Sequence, residues 1–219
     1  MMNWLTGSSK QKMVEPDAAM PGRDSSPFPI AAKNAVLGTP LQGPWPDGTQ
    51  VLYVAMGCFW GAEKKFWSLP GIVTTAVGYQ GGFTPFPTYE ETCTARTGHT
   101  ETVLIAYDPA VISTYDLLKV FWENHDPTTL YRQGNDVGTQ YRSAIYWTTP
   151  EQAEVIEATR AAYQGVLDSK GFDPISTEIA AAQDREFYYA EDYHQQYLYK
   201  VPHGYDCHAS TGILLPALT

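Results

Sequence analysis

The chain has 219 residues and a mass of 24.3 kDa, the size of one domain with trimmings. Its 14 Lys and Arg against 24 Asp and Glu leave a formal charge of −10, so there is no cationic field to attract nucleic acid or an anionic membrane surface. Hydrophobic residues make up 43% and charged residues only 17%, which excludes a disordered chain.

Three cysteines, none of them in a C-x2-C pair, cannot build a disulfide framework. Residues 1–20 lack the continuous apolar stretch of a signal peptide and are not Arg-rich. No apolar run approaches the ~18 residues that span a bilayer. The expectation is a soluble, cytoplasmic, monomeric protein whose cysteines act as thiols.

Residues 1–49 hold seven of the 16 prolines and sustain no helical or strand period, and so read as an extended arm wrapping the rest. Trp4, Phe28, Ile30 and Trp45 are the side chains able to pin it. Residues 50–219 read as a single catalytic domain that includes a mobile tail from about residue 200. Within it a strand over 51–55 is broken by Gly57, and helical spacing follows over 58–68. A strand over 73–79 ends in Gly81-Gly82, and Thr88-x-x-Glu91 forms a capping box for a short helix. A strand over 101–107 is followed by a helix that Ser113 caps, ending near Asn124, and by a strand over 143–147. Thr149-Pro150-Glu151 opens a helix to about Lys170, and 175–181 reads as a last strand. The order β-α-β-β-α-β, then α-β, predicts an α+β fold. Its core is a ferredoxin-like split βαβ sheet, a two-layer sandwich with helices on one face and an irregular C-terminal tail.

The sharpest chemical feature is Met56-Gly-Cys-Phe-Trp-Gly61. Cys58 stands where a strand turns into a helix, so first-turn amides and the helix dipole favour its thiolate, with a pKa pulled to ~7 or below. Phe59 and Trp60 would wall the site with apolar surface. The alternative is a buried, inert cysteine. Glu101 begins a strand with apolar residues on both faces, where poor solvation raises a carboxyl pKa and makes a proton donor. The alternative there is a rim carboxylate paired with a base. The polar loop 132–142 offers Asp136 and Tyr141, and the turn-rich stretch 85–89 offers Tyr89. Cys207 lies among small polar residues, a setting that suits a resolving thiol. No H-E-x-x-H, phosphate-binding loop or dinucleotide fingerprint is present, so neither a metal nor a cofactor is expected.

Taken together, Gly57-Cys-Phe-Trp-Gly61, Thr97-Gly-His-Thr-Glu101, Asn124-His-Asp-Pro127, Gln133-Gly-Asn-Asp136 with Gly138-Thr-Gln-Tyr-Arg142, and Tyr188-Tyr-Ala-Glu-Asp192 with His194-Gln-Gln-Tyr197 resemble the peptide methionine sulfoxide reductase A family. Pro21-Gly-Arg23 is similar to its long-arm bacterial members. The resemblance implies reduction of the S epimer of methionine sulfoxide, free or in oxidised proteins. It makes Cys58 the nucleophile and Glu101 the acid, with Tyr89 and Tyr141 on the sulfoxide oxygen, Asp136 supporting the site, and Phe59 and Trp60 cradling the S-methyl group. It also implies a Cys58 sulfenic acid, resolved to a disulfide that thioredoxin reduces.

Long-arm relatives often carry a cysteine directly after the Gly-Tyr pair and another about eight residues later. Here Asp206 follows Tyr205, the thiol comes at Cys207, and Leu214 stands near the second place. In the family's scheme Cys93 and Cys207 are the available resolving thiols. Cys93 sits after a short predicted helix and Cys207 in a tail of small residues, so Cys207 is expected to close the disulfide with Cys58. Two other classes share parts of this pattern: a thiol peroxidase, and a non-catalytic binder of methionine sulfoxide.

Overall fold

The computed structural model describes residues 10–207 and 209–218. Trp4 lies outside them. Six strands form one sheet: β1 (Gln50–Met56), β2 (Ile72–Gln80), β3 (Thr100–Tyr107), β6 (Ser143–Trp147), β7 (Glu178–Ala181) and β8 (Tyr188–Tyr189). Their spatial order is β7-β6-β1-β3-β2-β8, and a separate two-residue ribbon pairs β4 (Arg132–Gln133) with β5 (Asp136–Val137). The four central strands β6, β1, β3 and β2 pair antiparallel throughout. With α1 (Phe59–Phe66) joining β1 to β2 and α3 (Thr114–Glu123) lying between β3 and β6, this is the split βαβ arrangement expected from the element order. The predicted last strand is shorter than 175–181: only Glu178–Ala181 pairs, in parallel with β6.

The helix boundaries follow their caps. Ser113 accepts the Asp116 N–H and Asp116 returns the bond, while Thr149 and Gln152 do the same at the start of α4 (Pro150–Ser169). Each such cap stabilises its helix by about 1 kcal/mol. The short α2 (Tyr89–Thr92) opens on the Thr88–Glu91 capping box, and α5 (Tyr197–Lys200) is a single turn late in the chain. Among the described residues no helix is long and apolar enough to cross a membrane.

The strand period sorts the sheet's two faces. Val103, Ile105 and Tyr107 of β3 pack with Leu52, Val54 and Ile145 against the apolar stripes of α1, α3 and α4. Leu104 and Ala106 point to the opposite face, where they meet Leu41, Ile30 and Trp45 of the N-terminal segment together with Phe187 and Tyr189. Every residue of β3 is buried as a result.

A buried polar knot ties this wrapping segment to the helix layer. Glu63 of α1 accepts from Thr75 Oγ1 at 2.9 Å, from the Gln196 backbone N–H at 2.8 Å and from Gln196 Nε2 at 2.7 Å. Gln196 Oε1 accepts the Ala35 N–H at 2.9 Å, and Asn34 Nδ2 donates to the Thr75 carbonyl at 3.0 Å. Burial, partly offset by these donors, pushes the Glu63 carboxyl up to about 7.

Candidate active site

β1 ends at Met56, Gly57 turns the chain at φ 88°, and Cys58 becomes the N-cap residue of α1. Glycine is required at the turn, because a Cβ there would stand 2.6 Å from Gln133 Cβ as well as at an unfavourable φ. The Cys58 side chain is 8% exposed and makes no cap hydrogen bond. The amides of Trp60 and Gly61 do pull its pKa down, as the helix start leads one to expect. Burial, and then the Glu101 carboxyl, outweigh them, and the resting thiol is pushed up rather than down. The expected low pKa is therefore corrected: the amides are present, but the site is dry and borders an acid.

Glu101 begins the helix-facing side of β3, is 1% exposed, and its Oε2 accepts the Phe59 N–H at 3.0 Å. Burial raises its carboxyl to about 8, the Phe59 amide lowers it, and Asp136 raises it again. The group is thus mostly neutral at pH 7, directly beside the residue that follows Cys58. The rim ion pair, its alternative reading, is not what the structure contains.

Tyr89 is the first residue of α2, and its N–H donates to Glu191 Oε1 at 2.9 Å. Tyr141 closes a one-turn 3-10 helix, Thr139–Tyr141. Burial first, and Glu101 second, raise the pKa of both phenols, so both remain O–H donors beside the acid. Asp136 accepts from the Tyr205 hydroxyl at 3.0 Å through Oδ1, while its buried Oδ2 has no protein partner among the described residues.

Phe59 is fully buried and forms a floor, packing on Tyr79, Tyr89 and His194 with ring centroids 5.9, 6.5 and 5.2 Å away. Trp60 remains partly exposed. Its indole stacks on Tyr197 at 3.9 Å and donates through Nε1 to His194 Nδ1 at 3.0 Å. Burial lowers His194 to about 4, so the ring is neutral and Nδ1 is free to accept. Of the two expected cradle residues, only Trp60 faces outward. Trp60→Ala should therefore raise the KM for a sulfoxide-containing peptide by about tenfold or more, the value of one buried apolar contact. Single-turnover saturation curves measure it, and an unchanged curve would remove Trp60 from the pocket.

The local sequence does not reveal His194, Tyr197 and Glu191 as partners of Trp60 and Tyr89. They lie more than 100 positions from the groups they touch, and the only available signal was their presence in the His194-Gln-Gln-Tyr197 and Tyr188-Tyr-Ala-Glu-Asp192 motifs.

The tail returns Cys207 to the start of α1. Cys207 lines a small cleft together with Cys58, Gly61 and Gln133, and its thiol donates to the Gln133 carbonyl at 3.7 Å. Asp206 pairs with Lys64 at 3.0 Å, and the tail backbone lies against Gly61. Burial and Asp136 raise the Cys207 thiol to about 11. Cys93 is the half-buried C-cap residue of α2 and neighbours Tyr89 and Glu101, nearer the site than a remote helix end, but it does not line the cleft. All three cysteines are free thiols.

A cysteine at a helix start, next to a neutral carboxyl and with a second thiol in its cleft, is the equipment of a thiol oxidoreductase. Residues 50–215 match the family model described as peptide methionine sulfoxide reductase. A peptide methionine sulfoxide reductase MsrA of Rhodospirillum centenum is 55% identical over 98% of this chain and 97% of its own length. That of Salinispora arenicola is 56% identical over 94% of each. The methionine sulfoxide reductase A of Corynebacterium diphtheriae superposes with a TM-score of 0.81 at 45% identity, covering 94% of this chain and 100% of the other. Reduced Mxr1 of Saccharomyces cerevisiae gives 0.63 at 32% identity, over 79% and 95%. The chain belongs to the peptide methionine sulfoxide reductase family, and its activity is the reduction of methionine sulfoxide.

Proposed function

We propose that Cys58 and Glu101 together carry the reduction of the S epimer of methionine sulfoxide, free or in oxidised proteins. The observation that carries this reading is the neutral, buried Glu101 carboxyl bonded to the amide of Phe59, the residue that follows Cys58. The Cys58 sulfur attacks the sulfoxide sulfur while Glu101 protonates the oxygen, and the Tyr89 and Tyr141 hydroxyls hold that oxygen as charge develops. Asp136 helps keep Glu101 protonated, since its negative charge disfavours a second one. Loss of the Cys58 proton restores Glu101. The hydroxyl then passes from the methionine sulfur to the Cys58 sulfur as the S–S and methionine S–O bonds break, so the thioether leaves, Cys58 becomes a sulfenic acid, and the methionine sulfur is reduced by the two electrons that the thiol loses. Cys207 then attacks the sulfenic sulfur, water departs, and a Cys58–Cys207 disulfide remains. A thioredoxin-type dithiol reduces that disulfide and becomes a disulfide itself. Three free thiols suit a reducing compartment such as the cytoplasm.

Thiol counting tests the reading. Reduced enzyme given excess sulfoxide peptide and no reductant should form one methionine and fall from three thiols to one. Cys58→Ser should form none. If hydrogen peroxide consumes the thiols efficiently while the sulfoxide peptide does not, the reductase assignment of these residues is wrong.

A further inference from the structure

We propose that Arg23, in the segment that wraps the sheet, is a positioning residue that holds the Tyr89 phenol against the sulfoxide oxygen; this rests on the role given to Tyr89 above. Arg23 grips Glu91 with both forks of its guanidinium, Nη1 to Oε2 and Nη2 to Oε1, each at 2.7 Å. Nη1 also donates to the Phe86 carbonyl at 3.1 Å, and the Arg23 backbone N–H donates to the Pro85 carbonyl at 3.0 Å. The chain is pressed close here, since a Cβ on Gly22 would stand 2.3 Å from Pro85 Cδ. Pro21-Gly-Arg23 is thus a clasp on the turn 85–91, and Tyr89 is inside that turn.

The turn needs such a clasp. Helix α2 is four residues long, far below the length at which a helix holds itself in water. Phe86, just before it, sits at φ 48°, a left-handed conformation that a side-chain-bearing residue adopts only when its surroundings impose it. Glu91 is the pivot: its Oε2 accepts the Thr88 N–H at 2.9 Å, closing the capping box that starts α2. Arg23 therefore orients the carboxylate that orients the helix start that carries Tyr89. Glu191 accepts the Tyr89 N–H as a separate anchor. A monodentate surface pair would be worth little, but a bidentate fork fixes direction as well as distance.

Tyr141 shares the oxygen with Tyr89, so the effect of Arg23 is clearest where Tyr141 is gone. In a Tyr141→Phe background, Arg23→Ala should slow single-turnover methionine formation about tenfold. In a Tyr89→Phe/Tyr141→Phe background the same change should cost less than about twofold, because no phenol remains to misplace. Arg23→Lys keeps the charge and loses the fork, and should show a smaller loss, about threefold, that also vanishes without the phenols. That variant carries the test if Arg23→Ala folds poorly. Equal losses in the two backgrounds, or no loss in Tyr141→Phe, would overturn the role of Arg23 alone. Wild-type rates in Tyr89→Phe/Tyr141→Phe would overturn the phenol reading, and this proposal with it.

Discussion

Enzyme carrying Cys207→Ser should complete one reduction and then stop. Its first methionine should form at the wild-type rate, because in the proposed cycle Cys207 acts only after the sulfoxide has been reduced. Thioredoxin-driven turnover should be lost, and dimedone should trap a sulfenic acid on Cys58. Cys93→Ser should turn over close to the wild-type rate. The argument is proximity: disulfide formation needs Cα atoms within roughly 7 Å, and Cys207 lies in the same cleft as Cys58, over α1. The Lys64–Asp206 pair and the Tyr205–Asp136 bond hold the tail there. Cys93 neighbours Tyr89 and Glu101 but does not line that cleft. Loss of turnover in Cys93→Ser with retention in Cys207→Ser would reverse the assignment. A requirement for both would mean a second relay step.

Glu101→Gln should slow the reductase step by about 10²-fold, the usual worth of a positioned general acid. The amide can still donate a hydrogen bond to the sulfoxide oxygen but has no proton to transfer. The pH profile sharpens this. With the carboxyl at about 8, the wild-type single-turnover rate should fall as pH rises through that value, and the fall should be absent in Glu101→Gln. Stability carries the same signature with a definite sign. The folded-state value lies above the ordinary 4.5, so the folded protein holds this proton more tightly than the unfolded chain. The contribution is complete below about 4.5 and is lost as pH rises through about 8. Relative to wild type, the melting temperature of Glu101→Gln should therefore be higher at pH 9 than at pH 5. A rate within a few fold of wild type would refute the proton-donor role.

Much of the fold was legible because its signals are local. Ser113, Thr149 and Thr88 announce their helices, and the alternation along β3 correctly separates Val103 and Ile105 from Leu104 and Ala106. The ribbon of Arg132–Gln133 with Asp136–Val137 and the single turn of α5 are too short to leave a period. The segment covering the far face of the sheet has no repeat at all; it does its work through separate anchors such as Ile30 and Trp45. The site divides along the same line. Cys58 at a helix start and Glu101 on a strand apolar on both faces can be read from their neighbours in sequence. The dryness that reverses the expected Cys58 shift comes from tertiary packing. The partnership of Trp60 with His194 spans 134 positions and has no local trace.

The knot around Glu63 has a consequence for how the enzyme breathes. One buried carboxyl is shared between the helix that begins beneath Cys58, strand β2, and the segment bearing His194 and Tyr197, with Asn34 and Ala35 fastened to the same partners. Peeling away the C-terminal segment alone would strip that carboxyl of both Gln196 donors and leave it only the Thr75 hydroxyl, which costs more than breaking exposed contacts. Detaching residues 34 and 35 would in turn leave Gln196 and Thr75 without bonds they make in the interior. Local opening is therefore gated jointly: the two segments form one cooperative unit with the helix that follows Cys58. The floor under Trp60 cannot loosen for a bulky substrate unless the wrapping segment yields with it.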